Sequence, residues 1–293
     1  VYKRQGQADV RDGIIRCIGN PLDRFGEDRL RMLRAVRFAT TLGYEIETHT
    51  LTAIQQTADQ IADVSAERIA GEMRRILVHE HRATGLGLLR RTSLWQVILP
   101  EYATLAEPDR DDRWEEMEAI LEALVTEQFP TALAAVLWPL CQKSDSTAAA
   151  TVAKLGRRWK LTNHERSRTT WLLQHLTTAR YARQVPWPQL QRVLIEDGTP
   201  GLLALSRAVN RGIDGSEEDF QFCCEQRKRP PEQLNPPPLV DGHDLQELGI
   251  PIGRHYSSLL DEIRDAQLEG QLEDREEALN WARSRWRQLC PHE

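Results

Sequence analysis

Between Asp23 and Ala39 the sequence reads Asp-Arg-Phe-Gly-Glu-Asp-Arg-Leu-Arg-Met-Leu-Arg-Ala-Val-Arg-Phe-Ala, and Leu42-Gly43-Tyr44 follows shortly after. Acidic residues near the start and a glycine just past the end predict a single helix, because carboxylates favour the positive N-terminal end and glycine supplies the left-handed stop. Projected at about 100° per residue, Arg31, Arg34 and Arg37 fall within an arc of about 120° that also holds Leu30 and Phe38. No face is simply polar. A guanidinium among apolar neighbours is costly unless paired. Glu27 and Asp28 can reach Arg31 across one turn, but Arg34 and Arg37 have no further acid within a turn. Those two require carboxylates from elsewhere, backbone carbonyls or a bound anion. A nucleotide's phosphates or base edges would suit such a planar fork of donors, and a solvated helix held by local ion pairs is the alternative.

The run Arg24-Phe25-x-Glu27-Asp28-x-Leu30-Arg31-Met32-Leu33-Arg34-Ala35-x-Arg37-Phe38-Ala39 resembles the signature of the class II tRNA nucleotidyltransferases, the family of CCA-adding enzymes and bacterial poly(A) polymerases. The resemblance implies that Asp28 and Arg31 template the Watson–Crick edge of CTP or ATP, and that Arg34 and Arg37 also bind the nucleotide. Arg24 and Glu27 would support them. A second segment, Val64-Ser65-Ala66-Glu67-Arg68-Ile69-Ala70-x-Glu72-Met73, is similar to the family's next motif, which implies a bracing role for Glu67, Arg68 and Glu72.

A chain of 293 residues exceeds what one ordinary core organises, so more than one subdomain is expected, and 40% hydrophobic residues suffice for packed cores. Nothing approaches eighteen consecutive apolar residues and no leader pattern precedes a cleavage site, so the expectation is a cytoplasmic protein without membrane contact. The cysteines, Cys17, Cys141, Cys223, Cys224 and Cys290, lack paired metal-ligand spacing, which fits reduced thiols. The net charge of -6 divides unevenly: residues 1–100 carry +3 and the remainder -9, which points any nucleic-acid surface toward the first third.

Along the chain, Asp12-Gly13 between β-prone pieces predicts a small hairpin within residues 6–19. Tyr44–Glu47 is extended, Thr48 or Thr50 can cap the next helix, and Ser65 can cap a helix with Ile69, Met73, Ile76 and Leu77 on its apolar face. Ala132–Leu140 is apolar all round and predicts a buried helix. Thr162 caps another helix. Just before it, Arg157, Arg158 and Lys160 beside Trp159 could contact RNA backbone or form an exposed charged turn. The prolines between Arg227 and Pro238 read as an extended linker. His243-Asp244 lies in a segment similar to the family's tail and does not read as a metal pair.

The implied architecture is all-α, with a short β-hairpin remnant of a catalytic head over residues 1–20, a base-selecting neck over 21–93, a helical body over 94–235 and a tail over 236–293. In the family, head carboxylates hold the Mg2+ that assists nucleotidyl transfer. No Asp-x-Asp stands in the early sequence, and the chain enters without an initiator Met. The expectation is therefore a portion of an enzyme, with no catalytic or metal residue of its own, inactive alone. The intact enzyme would add CMP or AMP to the 3' end of tRNA, with CTP and ATP as substrates. Poly(A) synthesis on another RNA 3' end, or a non-catalytic helical RNA-binding protein, are the other readings, and the oligomeric state stays open.

Overall fold

The computed structural model describes residues 2–142, 147–213, 216–253 and 255–289, and for residues 2–5 the backbone alone. Cys290 lies outside the described residues. The chain divides into two compact units, one of residues 1–180 with 200–220 and the other of residues 181–199 with 221–293.

The first unit opens with helix α1 (Tyr2–Asp12) and strand β1 (Ile14–Ile15). It continues through α2 (Pro21–Glu27), α3 (Leu30–Leu42), strand β2 (Glu45–Ile46), α4 (Thr48–Thr57), α5 (Ala66–Val78) and α6 (Arg82–Arg91). Beyond two single-turn helices lie α7 (Asp109–Ala123), α8 (Phe129–Cys141), α9 (Ala148–Arg158) and α10 (Asn163–Arg180). The all-α expectation holds, with one two-stranded sheet as its β component among the described residues.

That sheet is not the expected hairpin. Residues 2–12 are helical, Gly13 turns the chain at φ +67°, and Ile14-Ile15 pairs in parallel with Glu45-Ile46. A hairpin needs two adjacent strands, and the first of them has formed a helix instead. The arginine-rich segment also differs from one continuous helix. Asp28 is extended (φ -150°, ψ 103°); its amide closes α2 on the Arg24 carbonyl, and its carboxylate accepts the Leu30 amide at 3.2 Å at the start of α3. A side chain that offers the backbone a local acceptor favours a helix boundary over a helix interior. Gly43 ends α3 in the left-handed conformation, as the sequence predicts.

Packing around α3 positions the site. Leu30, Met32, Leu33, Val36 and Ala39 are buried, and α3 rests on α5 and α6. The close approach is made possible by Gly85 on α6, where an added Cβ would lie 2.7 Å from Ile76 and 2.8 Å from the Thr40 hydroxyl. Further along, α8 is buried on every side and packs between α7 and α10, and the Tyr102 hydroxyl donates to its Val136 carbonyl at 2.7 Å. Truncating a leucine there to alanine should cost about 2–5 kcal/mol.

Caps differ in detail from the sequence reading. Glu47, not a threonine, caps α4 by accepting the Thr50 amide at 2.9 Å. Ser65 stands at the N-cap of α5 without a side-chain capping bond. Thr162 and Glu165 form the reciprocal pair expected at the start of α10: the Thr162 amide donates to Glu165 at 2.8 Å and the Glu165 amide to the Thr162 hydroxyl at 3.1 Å.

The second unit contains α11 (Trp187–Leu194), α12 (Gly242–Glu247), α13 (Tyr256–Leu268) and α14 (Arg275–Leu289), with a core of Val240, Leu245, Ile250, Leu259, Ile263, Ala266, Leu272, Ala278 and Ala282. Its proline-rich stretch is not wholly extended, since Pro231–Leu234 forms one helical turn. Proline suits the first position of a helix, whose amide needs no partner there.

Candidate functional site

The candidate site is built from the α2–α3 break and from α5, packed against α3. At the break, Glu27 is held from two sides: Arg24 Nη1 donates to its two oxygens at 3.0 and 3.1 Å, and Arg31 Nη1 donates at 2.7 Å. Arg31 Nη1 also reaches the Arg24 carbonyl at 3.2 Å. Those arginine hydrogen bonds hold the Glu27 carboxyl below its usual range. Arg31 Nε and Nη2 make no hydrogen bond among the described residues, and the side chain is 40% exposed.

Asp28 is approached from α5. Arg68 Nη2 donates to both of its oxygens, at 3.0 and 2.9 Å, and the Leu30 amide takes Oδ1. Burial pushes the Asp28 carboxyl up, but Arg68 and the Leu30 amide outweigh it, so the group sits below its usual value. A carboxylate offers roughly four acceptor positions. Three are occupied here, which leaves one open on a residue three positions before Arg31.

Deeper in, one carboxylate answers the question posed by the arginine stripe. Glu72 of α5, 5% exposed, accepts Arg37 Nε at 2.5 Å, lies 3.5 Å from Arg34 Nε and 3.4 Å from Arg75 Nη1. Arg37 is largely buried, and its guanidinium stacks 3.8 Å from the centre of the Phe38 ring. Arg34 is 45% exposed and keeps donors turned to solvent. The acid that Arg34 and Arg37 lack along their own helix is therefore supplied from α5, 35 residues beyond Arg37.

Of the residues singled out from sequence, the side chains fall into three groups, Arg24 with Glu27 and Arg31, Asp28 with Arg68, and Arg34 and Arg37 with Glu72. Glu67 joins none of them: it is exposed and makes no ion pair among the described residues. Sequence reasoning missed Arg75 as a third cation on Glu72, and Asp63, which lies 3.1 Å from Arg29. Arg75 follows Glu72 by one turn, a spacing that could have revealed it. Asp63 depends on the fold of the intervening chain and left no such signal. Among the described residues no group of three or more His, Cys, Asp or Glu is arranged to hold a metal ion, and no helix is long and apolar enough to cross a membrane.

Chemically, the rim offers one fixed acceptor and a fan of donors to a planar ligand, beside a cluster in which Glu72 pairs closely with Arg37 and is shared with Arg34 and Arg75. Residues 43–105 match the family model described as probable RNA and SrmB-binding site of polymerase A. The chain is similar to the CCA-adding enzyme of Levilactobacillus brevis, at 28% identity over 94% of this chain and 64% of that protein. It is also similar to the CC-adding tRNA nucleotidyltransferase of Halalkalibacterium halodurans, at 41% identity over 32% of this chain and 24% of that protein. Among solved structures, the Bacillus stearothermophilus CCA-adding enzyme in complex with CTP matches with a TM-score of 0.69 and 25% identity, covering 97% of this chain and 68% of that one. The chain thus spans less than two thirds of the length of the curated relatives it matches.

Proposed function

We propose that this chain, a member of the class II tRNA nucleotidyltransferase and poly(A) polymerase family, is the base-selecting and RNA-holding portion of an enzyme that adds CMP and AMP to the 3' end of tRNA without a nucleic-acid template. The observation that carries the reading is that Asp28 keeps an open acceptor position and Arg31, three residues on, keeps unengaged donors. Cytosine and adenine each present an amino donor next to a ring-nitrogen acceptor, the complement of that pair; uracil and guanine present a carbonyl where the amino group stands. Arg68 keeps Asp28 ionised and oriented, Glu27 fixes one end of Arg31, and Arg34 and Arg37 meet the remainder of the nucleotide or brace the pocket. Residues 21–93 would be the neck, 94–235 the body and 236–293 the tail of such an enzyme, with residues 1–20 bordering its head. Magnesium, which in this reading assists the transfer step, would be held by carboxylates other than those of this site. The setting would be the cytoplasm.

The family model's description favours a second reading, poly(A) synthesis, in which ATP alone is chosen. Direct binding separates the two. Titrated with CTP, ATP, UTP and GTP, the chain should bind CTP and ATP more tightly than the other two, and Asp28→Ala should abolish that preference. Binding of ATP without CTP would favour polyadenylation, and equal binding of all four would remove the base-reading role from Asp28 and Arg31.

A further inference from the structure

Four helices in the described residues end in the same turn, in which an amide reaches back five residues: Tyr44 to the Ala39 carbonyl at 3.0 Å, Leu161 to Gly156 at 3.0 Å, Ile250 to Leu245 at 3.0 Å and Gln271 to Ala266 at 2.9 Å. This closure places the residue before that amide in the left-handed conformation, which favours glycine. Three of the turns use it: Gly43, Gly249 and Gly270, at φ +67°, +77° and +73°. The fourth uses Lys160, at φ +50°. A lysine where a glycine would be less strained points to a job for its side chain.

Its surroundings indicate the job. Glu101 is engaged by Arg158 through two hydrogen bonds of 2.8 and 2.6 Å and lies 4.0 Å from Lys154, while Glu165 is engaged by Arg74 at 2.7 and 2.9 Å. Arg157 and Lys160 are exposed and have no ion pair or hydrogen bond among the described residues. Arg166, at the start of α10, donates to the Asn163 side chain and pairs with no carboxylate among them. Between these cations Trp159 is buried, its Nε1 donating to the Ile98 carbonyl at 3.3 Å, which anchors the turn to the core. No large apolar side chain is exposed on residues 148–166. Exposed cations without carboxylate partners or an apolar rim, on a turn anchored by Trp159, suit a phosphate backbone better than a peptide groove or a lipid surface.

We infer that the α9–α10 turn is a contact for RNA phosphates, made by Arg157 and Lys160 with Arg166 beside them. The inference rests on the proposed RNA-holding role and extends it from the base-reading helix to a second place in the first unit. Cations at the end of α9 would also complement its dipole. That role alone would not call for a lysine in the left-handed position.

The test is the salt dependence of binding to a tRNA lacking its terminal CCA, comparing the wild-type chain with the Arg157→Ala/Lys160→Gly double variant. Loss of two phosphate contacts should flatten the log–log salt slope by about 1.5 and weaken binding roughly tenfold at low salt. Lys160→Gly alone should melt at a higher temperature than wild type while binding the tRNA less tightly. An unchanged slope and affinity in the double variant overturns the contact and leaves the base-reading proposal intact. A lower melting temperature for Lys160→Gly overturns it too, because Lys160 would then be serving the fold. Absence of tRNA binding by the wild-type chain overturns this inference together with the RNA-holding role on which it rests.

Discussion

Two carboxylates, Asp28 at the start of α3 and Glu72 on α5, do opposite work with the same partner type. Glu72 is buried and gathers Arg34, Arg37 and Arg75, whereas Asp28 stands at the rim, engaged by Arg68 with an acceptor position still open. Burial decides the difference. A carboxylate removed from water must be fully compensated, so its arginines become part of the scaffold; one at the rim can exchange a partner for a ligand. The arginine stripe is thus divided between a floor that holds the helices together and a rim whose donors stay open to solvent.

The largest effect is expected at the floor. Glu72→Ala should destabilise the protein by about 3 kcal/mol, because it leaves the largely buried Arg37 without its counter-charge. A fall in urea midpoint with unchanged slope would register it. A near-neutral result would mean that water reaches Arg37 and that floor and rim do not differ. At the rim the expected effect is on selection. Asp28→Ala or Arg31→Ala should erode discrimination between cytosine or adenine and the other bases by about 1–3 kcal/mol, the worth of a paired base-edge contact. Arg31→Ala should leave the melting temperature close to wild type, and Asp28→Ala should cost about 0.5–2 kcal/mol through the lost bond to the Leu30 amide. A large loss of stability in Asp28→Ala would move Asp28 to the scaffold side.

An intermediate case sharpens the boundary. Arg74 binds Glu165 with two hydrogen bonds and, with the Thr162 amide and against the opposing effect of burial, brings its carboxyl from the ordinary 4.5 to about 2. A carboxyl lowered on folding contributes stability above its unfolded value, and that contribution is lost as pH falls through the folded value. Stability should therefore decline between about pH 4.5 and pH 2, and Glu165→Gln should flatten the decline in acid titrations of unfolding. An unchanged acid limb would show that other carboxylates govern it. The smallest effect is expected from Arg24→Ala, whose bonds to Glu27 are exposed: little change in melting temperature, and a modest loosening of Arg31 seen as weaker nucleotide binding. If it rivalled Asp28→Ala in selectivity, the rim would have to be widened to include it.

Much of this molecule follows from local pattern. The periodic apolar positions predict α3, α5 and the buried α8; Gly43 predicts where α3 stops; and the arginines of α3 are recognisable as needing acceptors they lack along their own helix. These features depend on neighbours within one or two turns, so order along the chain is enough to infer them. Which acceptor each arginine meets is another matter. Glu72 reaches Arg37 only because α5 packs on α3, and Arg68 reaches Asp28 by the same packing. The break at Asp28 reflects a competition between helix continuation and a side-chain acceptor for Leu30, and periodicity reads the same either way. Likewise Arg157 and Arg158 are adjacent and chemically identical, yet Glu101 neutralises the second and leaves the first exposed. Residue order alone implies an excess of cations along α3 and at the α9–α10 turn. Which of them meet a carboxylate depends on the fold, because a charge is paired by what lies within a few ångströms of it, and that distance is set by packing.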